Sequence, residues 1–76
     1  MPPKLPVVSG KEMIRVLQRL GFVAIRQHGS HVVLQRQTSE GGITCVVPLH
    51  RELAAGTLRG ILRQARVTAE EFLEYL

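Results

Sequence analysis

The chain has 76 residues, enough for one small domain but too few to enclose a large cavity for a small metabolite. Ten lysines and arginines against six glutamates give a formal net charge of +4, which favours a polyanionic partner, although solubility alone also explains an excess of this size. Any chemistry is therefore expected on an open surface, which suits a polymeric substrate.

The single cysteine, Cys45, excludes an intrachain disulfide and agrees with the reducing cytoplasm. It stands in an apolar run, which predicts a small core residue rather than a nucleophile. No segment approaches the roughly 18 apolar residues of a membrane span, and residues 1–8 lack the apolar run of a secretory signal. We therefore expect a cytoplasmic protein that has no membrane partner.

The first helix is marked at both of its ends. Residues 1–8 contain three prolines and are expected to be extended and partly disordered. Ser9 and Glu12 have the spacing of a capping box, which predicts a helix that begins here and runs to about residue 20. Gly21 suits the position after the helix, with Phe22 folding back onto the last turn. The apolar residues at helical spacing are Met13, Val16, Leu17 and Leu20.

Three strands follow. Alternating side chains predict strands over residues 22–28 and 31–36, and a turn with glycine first, Gly29-Ser30, predicts a type II′ hairpin between them. A looser turn over residues 38–42 leads to an apolar third strand over residues 43–47. The alternation predicts that the helices cover Val23, Ile25, Val32 and Leu34.

A second helix is predicted after residues 56–57, and a second capping box, Thr68 with Glu71, predicts a short final helix. The apolar positions of the second helix are Leu58, Ile61, Leu62 and Ala65. The order α-β-β-β-α predicts an α+β fold: a three-stranded antiparallel sheet with both long helices on one face and the other face open to solvent.

The hairpin carries the residues best suited to chemistry. The two residues that flank a two-residue turn pair across the strands and share a face, and here they are His28 and His31. Arg26 lies two residues back on the same side, so all three are predicted on the open face. RNA supplies its own nucleophile, the 2′-hydroxyl, so an imidazole that moves a proton and a cation that stabilises the transition state suffice without a metal.

Other interpretations of these residues stay open. A histidine beside a turn is commonly only a polar turn residue, and two histidines could bind zinc if His50 supplied a third ligand. The second helix carries arginines at i, i+4 and i+7 that could follow a phosphate backbone or simply be solvated. These arginines are Arg59, Arg63 and Arg66.

Several fragments, taken in order, resemble the HicA toxin family, also called YcfA-like. They are Ser9-Gly10-Lys11-Glu12, Leu20-Gly21-Phe22, Gly29-Ser30-His31, Val47-Pro48-Leu49-His50, Gly56-Thr57-Leu58-Arg59 and Ile61-Leu62-Arg63-Gln64-Ala65. The resemblance runs from about residue 9 to residue 72, nearly the whole chain, which we treat as one HicA-like domain. It implies a double-stranded-RNA-binding-like fold, a type II toxin that cleaves mRNA without a metal cofactor, and a HicB-type antitoxin that covers the active surface.

The resemblance also implies a catalytic histidine after the Gly-Ser pair, which is His31 and not His28. Many members have a second histidine where this chain has Val32, and a glycine where it has Arg66. Because Arg66 replaces this glycine, the position at which the second helix ends stays open.

The residues and the resemblance together lead us to expect a metal-free endoribonuclease that is a monomer when free. The resemblance implies that its general acid/base is His31, on the turn formed by Gly29 and Ser30. The candidates for RNA contact are Lys11, Arg26, His28, Arg59 and Arg63. A non-catalytic RNA-binding module would use the same basic surface, and a protein-interaction domain would use the open sheet face without binding RNA.

Overall fold

The computed structural model describes residues 4–76, so the prediction for residues 1–3 lies outside the described part. The strands form one antiparallel sheet in the order β1-β2-β3, which confirms the α+β class and the α-β-β-β-α order with an added terminal helix. The elements are α1 Gly10–Arg19, β1 Val23–His28, β2 His31–Thr38, β3 Gly41–Pro48, α2 Ala55–Ala65 and α3 Ala69–Tyr75. Within residues 4–76, no helix has the length and apolar character needed to cross a membrane.

Both ends of α1 form as predicted. The Ser9 hydroxyl accepts a hydrogen bond from the Glu12 N–H at 3.0 Å, and the Glu12 carboxylate accepts one from the Ser9 N–H at 2.9 Å. These hydrogen bonds, first that from the backbone and then that from the side chain of Ser9, lower the pKa of Glu12. At the other end Gly21 has a φ of 99°, and the Phe22 N–H donates to the Leu17 carbonyl at 2.9 Å. Local hydrogen bonds therefore fix the length of this helix.

The core lies between one face of the sheet and the helices. From the sheet, Val32, Leu34, Cys45 and Val47 are buried in it. Cys45 is 1% exposed, and burial raises the pKa of its thiol to about 11. The thiol is thus held in its unreactive protonated form, which confirms the prediction of a core residue.

The prediction of which β1 side chains lie under the helices is wrong. Val23 is 62% exposed and Ile25 is 50% exposed, whereas the alternation predicts both under the helices. The pairing with β2 shifts between Ala24 and Arg26, which leaves Ile25 as an extra residue in a β-bulge. One extra residue reverses the alternation, so Val23 lies on the same face as Arg26, opposite to the predicted one.

The later elements also differ at their ends. The turn between β2 and β3 is only Ser39-Glu40, so both strands are longer than predicted. Helix α2 begins at Ala55 without a side-chain cap, and it ends with Arg66 in the left-handed region at φ 57° and ψ 40°. Arg66 therefore closes the helix in the conformation that glycine usually adopts, and it is not part of a helical arginine stripe.

The start of α1 packs directly on the segment that follows β3. A Cβ built at Gly10 would overlap the Pro48 carbonyl oxygen and lie 2.9 Å from the Leu49 Cα. Two further hydrogen bonds hold this region: Gly10 N–H donates to the His50 carbonyl at 2.9 Å, and Leu53 N–H donates to the Val8 carbonyl at 2.8 Å. Val8 itself is buried, so the end of the proline-containing segment belongs to the core.

We predict that Gly10→Ala lowers stability by about 1–3 kcal/mol, because the new methyl group must displace backbone. Gly60→Ala is the matched control: it lies inside α2 with open space at its Cβ, so it should raise stability by about 0.5–1 kcal/mol. Thermal unfolding followed by circular dichroism measures both. Equal midpoints for Gly10→Ala and the parent chain would show that the close approach is not required.

We predict that Arg66→Gly raises stability by about 1 kcal/mol, because glycine adopts the left-handed conformation without a Cβ penalty. The same exchange at Arg59, inside α2, should lower stability by about 1 kcal/mol through reduced helix propensity. Urea titrations of the two variants distinguish these effects. A decrease in stability in both would mean that the Arg66 side chain makes up for its backbone strain.

Candidate functional site

The tight turn between β1 and β2 positions the candidate site. Gly29 has a positive φ of 56° and Ser30 does not, which is the type II′ pattern that the sequence predicts. The turn places His28 directly opposite His31, as the first pair of the ladder. The Gln27 side-chain amide donates to the Gly29 carbonyl at 2.9 Å, which further fixes the turn.

His31 lies in the middle strand of the sheet, at its hairpin end. It pairs with His28 on one side and with Pro48 on the other, so these three residues form a row across the sheet. Both histidines are exposed, whereas the next residue, Val32, is 7% exposed in the core. The Val32 position therefore faces away from solvent, and the residue before it is the one that presents an imidazole.

The Ser30 hydroxyl lies 3.5 Å from Nδ1 of His31. This distance is at the long limit of a hydrogen bond, and the tautomer of the ring decides which atom donates. The contact is local to the turn.

The next row on the same face is Arg26, Val33 and Val46. Arg26 therefore shares a face with His28 and His31, as predicted. Val33 is only 8% exposed although it lies outside the main core, because the row continues on both of its sides. The open face thus has an apolar centre with cationic and imidazole groups toward β1.

The tertiary fold brings the N-terminus of α1 to the same end of the sheet. The Leu49 N–H donates to the Ser30 carbonyl at 2.6 Å, and the Gly10 N–H donates to the His50 carbonyl at 2.9 Å. Hydrogen bonds therefore connect the turn to the segment after β3, and that segment to the start of α1. Lys11, the next residue of α1, is exposed at the positive end of the helix dipole. His50 contacts α1 through its backbone.

Arg59 and Arg63 lie elsewhere, on α2. The neighbouring Gln64 accepts a hydrogen bond from the Val46 N–H at 3.4 Å, which places α2 along the outer side of β3. Both arginines are exposed, but β3 lies between their helix and the strand that carries His31. The structure brings Lys11, Arg26 and the histidines to one region, and it assigns these two arginines to a neighbouring surface.

The chemistry available at this site is that of imidazole and cations. In residues 4–76, no three histidine, cysteine or acidic side chains come close enough to hold a metal ion. The same part of the chain forms no enclosed pocket; His28 and His31 are exposed at the surface, whereas Pro48, the third member of their row, is buried. An extended polymer can lie across such a surface, whereas a small metabolite would find few contacts there.

The comparison with protein families agrees with this geometry. The family described as HicA toxin of bacterial toxin-antitoxin matches residues 10–67, from the first residue of α1 to the buried Val67 after α2. The match includes the whole sheet and the hairpin that presents His31. A search of curated proteins found no match. Because the matched region covers most of the 76 residues, the chain belongs to the HicA toxin family.

Proposed function

We propose that this chain is a metal-independent endoribonuclease that cleaves mRNA in the cytoplasm, as the toxin of a type II toxin–antitoxin pair. Its general acid/base is His31. The observation that carries the proposal is the exposed imidazole of the middle strand, held on an open sheet face by a two-residue turn beside Arg26. Membership of the family supports the toxin role.

The reaction needs no nucleophile from the protein. Neutral His31 accepts the proton of an RNA 2′-hydroxyl, and the 2′-oxygen attacks the adjacent phosphorus. The bond from phosphorus to the 5′-oxygen breaks, and that oxygen takes up a proton from the imidazolium of His31, which restores the neutral ring. The products are a 2′,3′-cyclic phosphate and a free 5′-hydroxyl. Ser30 is then a turn residue and not a nucleophile, in agreement with its position in the hairpin.

Cations near the imidazole would stabilise the negative charge of the transition state. Arg26 lies on the same face in the next row of the sheet, and Lys11 lies at the start of α1, which is connected to the turn through the segment after β3. His28, directly opposite His31, is placed to contact the substrate. Arg59 and Arg63 on α2 would guide the more distant part of the RNA by its phosphates.

A toxin of this family has an antitoxin partner. We propose a HicB-type protein that covers the face around His31. Because the site is an open surface within residues 4–76, a bound partner can shield it from RNA by lying across it. A free monomer would then be the active form, and release from the antitoxin would start cleavage.

We predict that His31→Ala abolishes cleavage of a long single-stranded RNA in EDTA, with a decrease of about 100-fold or more, because the proton acceptor is removed. The matched control is His28→Ala, since His28 is also exposed and is the cross-strand partner of His31. This variant should still cut, with weaker binding. Product analysis should find 2′,3′-cyclic phosphate ends in the parent chain.

The other outcomes are equally informative. Cleavage by both variants at the parent rate would exclude His31 as the acid/base. Binding without cleavage by the parent chain would replace this proposal with a non-catalytic RNA-binding module. If the parent chain neither bound nor cut RNA, a protein-interaction domain would be the better interpretation.

We predict that Lys11→Ala and Arg26→Ala each reduce the salt dependence of RNA binding. The slope of log K against log salt should become shallower by about 0.7 for each phosphate that the variant no longer neutralises. Arg19→Ala is the control, because Arg19 lies at the opposite end of α1 and donates to the Tyr75 carbonyl at 2.7 Å. Fluorescence anisotropy at several salt concentrations gives the slopes. An unchanged slope for Lys11→Ala would remove α1 from the RNA surface.

A further inference from the structure

The two outer edges of the sheet differ. Along β3, the backbone N–H of Val46 donates to the Gln64 side chain of α2 at 3.4 Å. Along β1, all six residues of Val23–His28 are exposed. An exposed edge strand offers its unpaired N–H and C=O groups to another chain. The edge of β1 is therefore the place where this sheet can be extended.

The ladder identifies the backbone groups that point outward from β1. His28 and His31 flank a two-residue turn, so they form a hydrogen-bonded pair, and the next pair, Gln27 with Val32, does not. When the alternation of pair types is continued past the bulge at Ile25, the pair of Ala24 with Leu34 is also non-hydrogen-bonded. The N–H and C=O groups of Ala24 and Gln27 thus face away from β2 and can pair with an added strand.

The first half of this edge carries two exposed apolar side chains. Val23 and Ile25 are 62% and 50% exposed, which is more than any other large apolar residue of the sheet. Both are β-branched residues, which pack well against a neighbouring strand. The bulge at Ile25 is responsible for this exposure, because it turns Val23 to the face opposite the core. A strand laid along β1 would cover both side chains.

The segment of the sequence that contains this edge carries charge of one sign. Residues 13–39, which contain β1, β2 and most of α1, include four arginines and no acidic residue. Arg26 lies in the edge strand itself, and the Arg36 side chain lies about 3.6 Å from the Cβ position of Gly21, just before β1 begins. A second copy of this chain would bring these arginines together, so a partner strand with carboxylates is favoured over self-pairing.

We propose that the edge of β1 binds an extended acidic segment of the antitoxin as a fourth strand of the sheet. The segment would pair with the backbone of Ala24 and Gln27, cover Val23 and Ile25, and place carboxylates near Arg26. RNA would be attracted by the arginines but would not use the apolar side chains or the alternating backbone groups. The inference rests on the toxin–antitoxin function proposed above. It concerns the outer edge of β1, which adjoins the row that contains His31 and shares Arg26 with the proposed RNA surface.

The test uses the ¹⁵N-labelled chain and an acetylated, amidated octapeptide in which valine alternates with glutamate. We expect the amide signals of Ala24 and Gln27 to move on titration and to become protected from hydrogen exchange. The same peptide with lysine in place of glutamate should cause neither change. Equal binding of the lysine peptide, or shifts confined to α2 or the hairpin turn, would overturn the proposal.

Two pairs of variants separate the contribution of backbone hydrogen bonds to peptide binding from the contribution of charge. Ala24→Pro removes an outward N–H without breaking the ladder and should weaken peptide binding about tenfold, whereas Ala24→Thr retains the donor and should bind normally. Val23→Glu should weaken binding by charge repulsion, and Val23→Lys should not. Since Val23 is exposed, this second pair remains informative even if the proline variant fails to fold. Binding that no variant changes would overturn the proposal.

A uridine octanucleotide is the competing ligand. RNA contact at Arg26 and His28 can itself move the Gln27 signal, so protection from hydrogen exchange is the deciding measurement. If the oligonucleotide protected the Ala24 and Gln27 amides as the acidic peptide does, the edge would be a nucleic-acid surface and the proposal would be wrong. His31→Ala should bind the peptide like the parent chain. Cleavage and strand addition are therefore expected to fail in different variants, so the two proposals are tested separately.

Discussion

The side-chain alternation of β2 sets the two faces of the sheet. Val32 and Leu34 are buried under the helices, so His31 and Val33 point to the opposite face. Because β2 pairs with both other strands, its register decides the face of the residues that pair with it, and the bulge at Ile25 changes the alternation along β1. A shift by one residue would bury the imidazole and expose the core, so the position of His31 is fixed by hydrophobic burial and not by contacts of the ring itself.

The docking of α1 on the segment after β3 completes the same end of the molecule. Because Gly10 has no side chain, the helix backbone approaches Pro48, and hydrogen bonds continue from there to the turn before His31. A small domain has few buried contacts with which to hold a site. Here the elements that close the core also bring Lys11 and the N-terminus of α1 toward the imidazole of His31. The conformational entropy lost in ordering the site is therefore part of the entropy lost on folding.

The two outer edges of the sheet have different surroundings. RNA binding and strand addition are therefore proposed at different parts of the sheet. Gln64 of α2 accepts a backbone hydrogen bond from β3, whereas the residues of β1 are all exposed. The open face near the hairpin suits an RNA strand, and the edge of β1 suits a protein strand. An antitoxin segment at that edge could anchor its protein next to the catalytic face, and it would share Arg26 with the RNA surface.

Features that depend on neighbouring residues were predictable from the sequence: both capping boxes, the glycine end of α1, the Gly29-Ser30 turn and the cross-strand pair of His28 and His31. Each is a local hydrogen-bonding pattern, so its residue types are visible within a few positions. The bulge at Ile25, the left-handed Arg66 and the contact of Gly10 with Pro48 emerged only in the folded chain. A bulge leaves no compositional mark, and contacts between distant segments depend on how helices and sheet pack, which local periodicity does not encode.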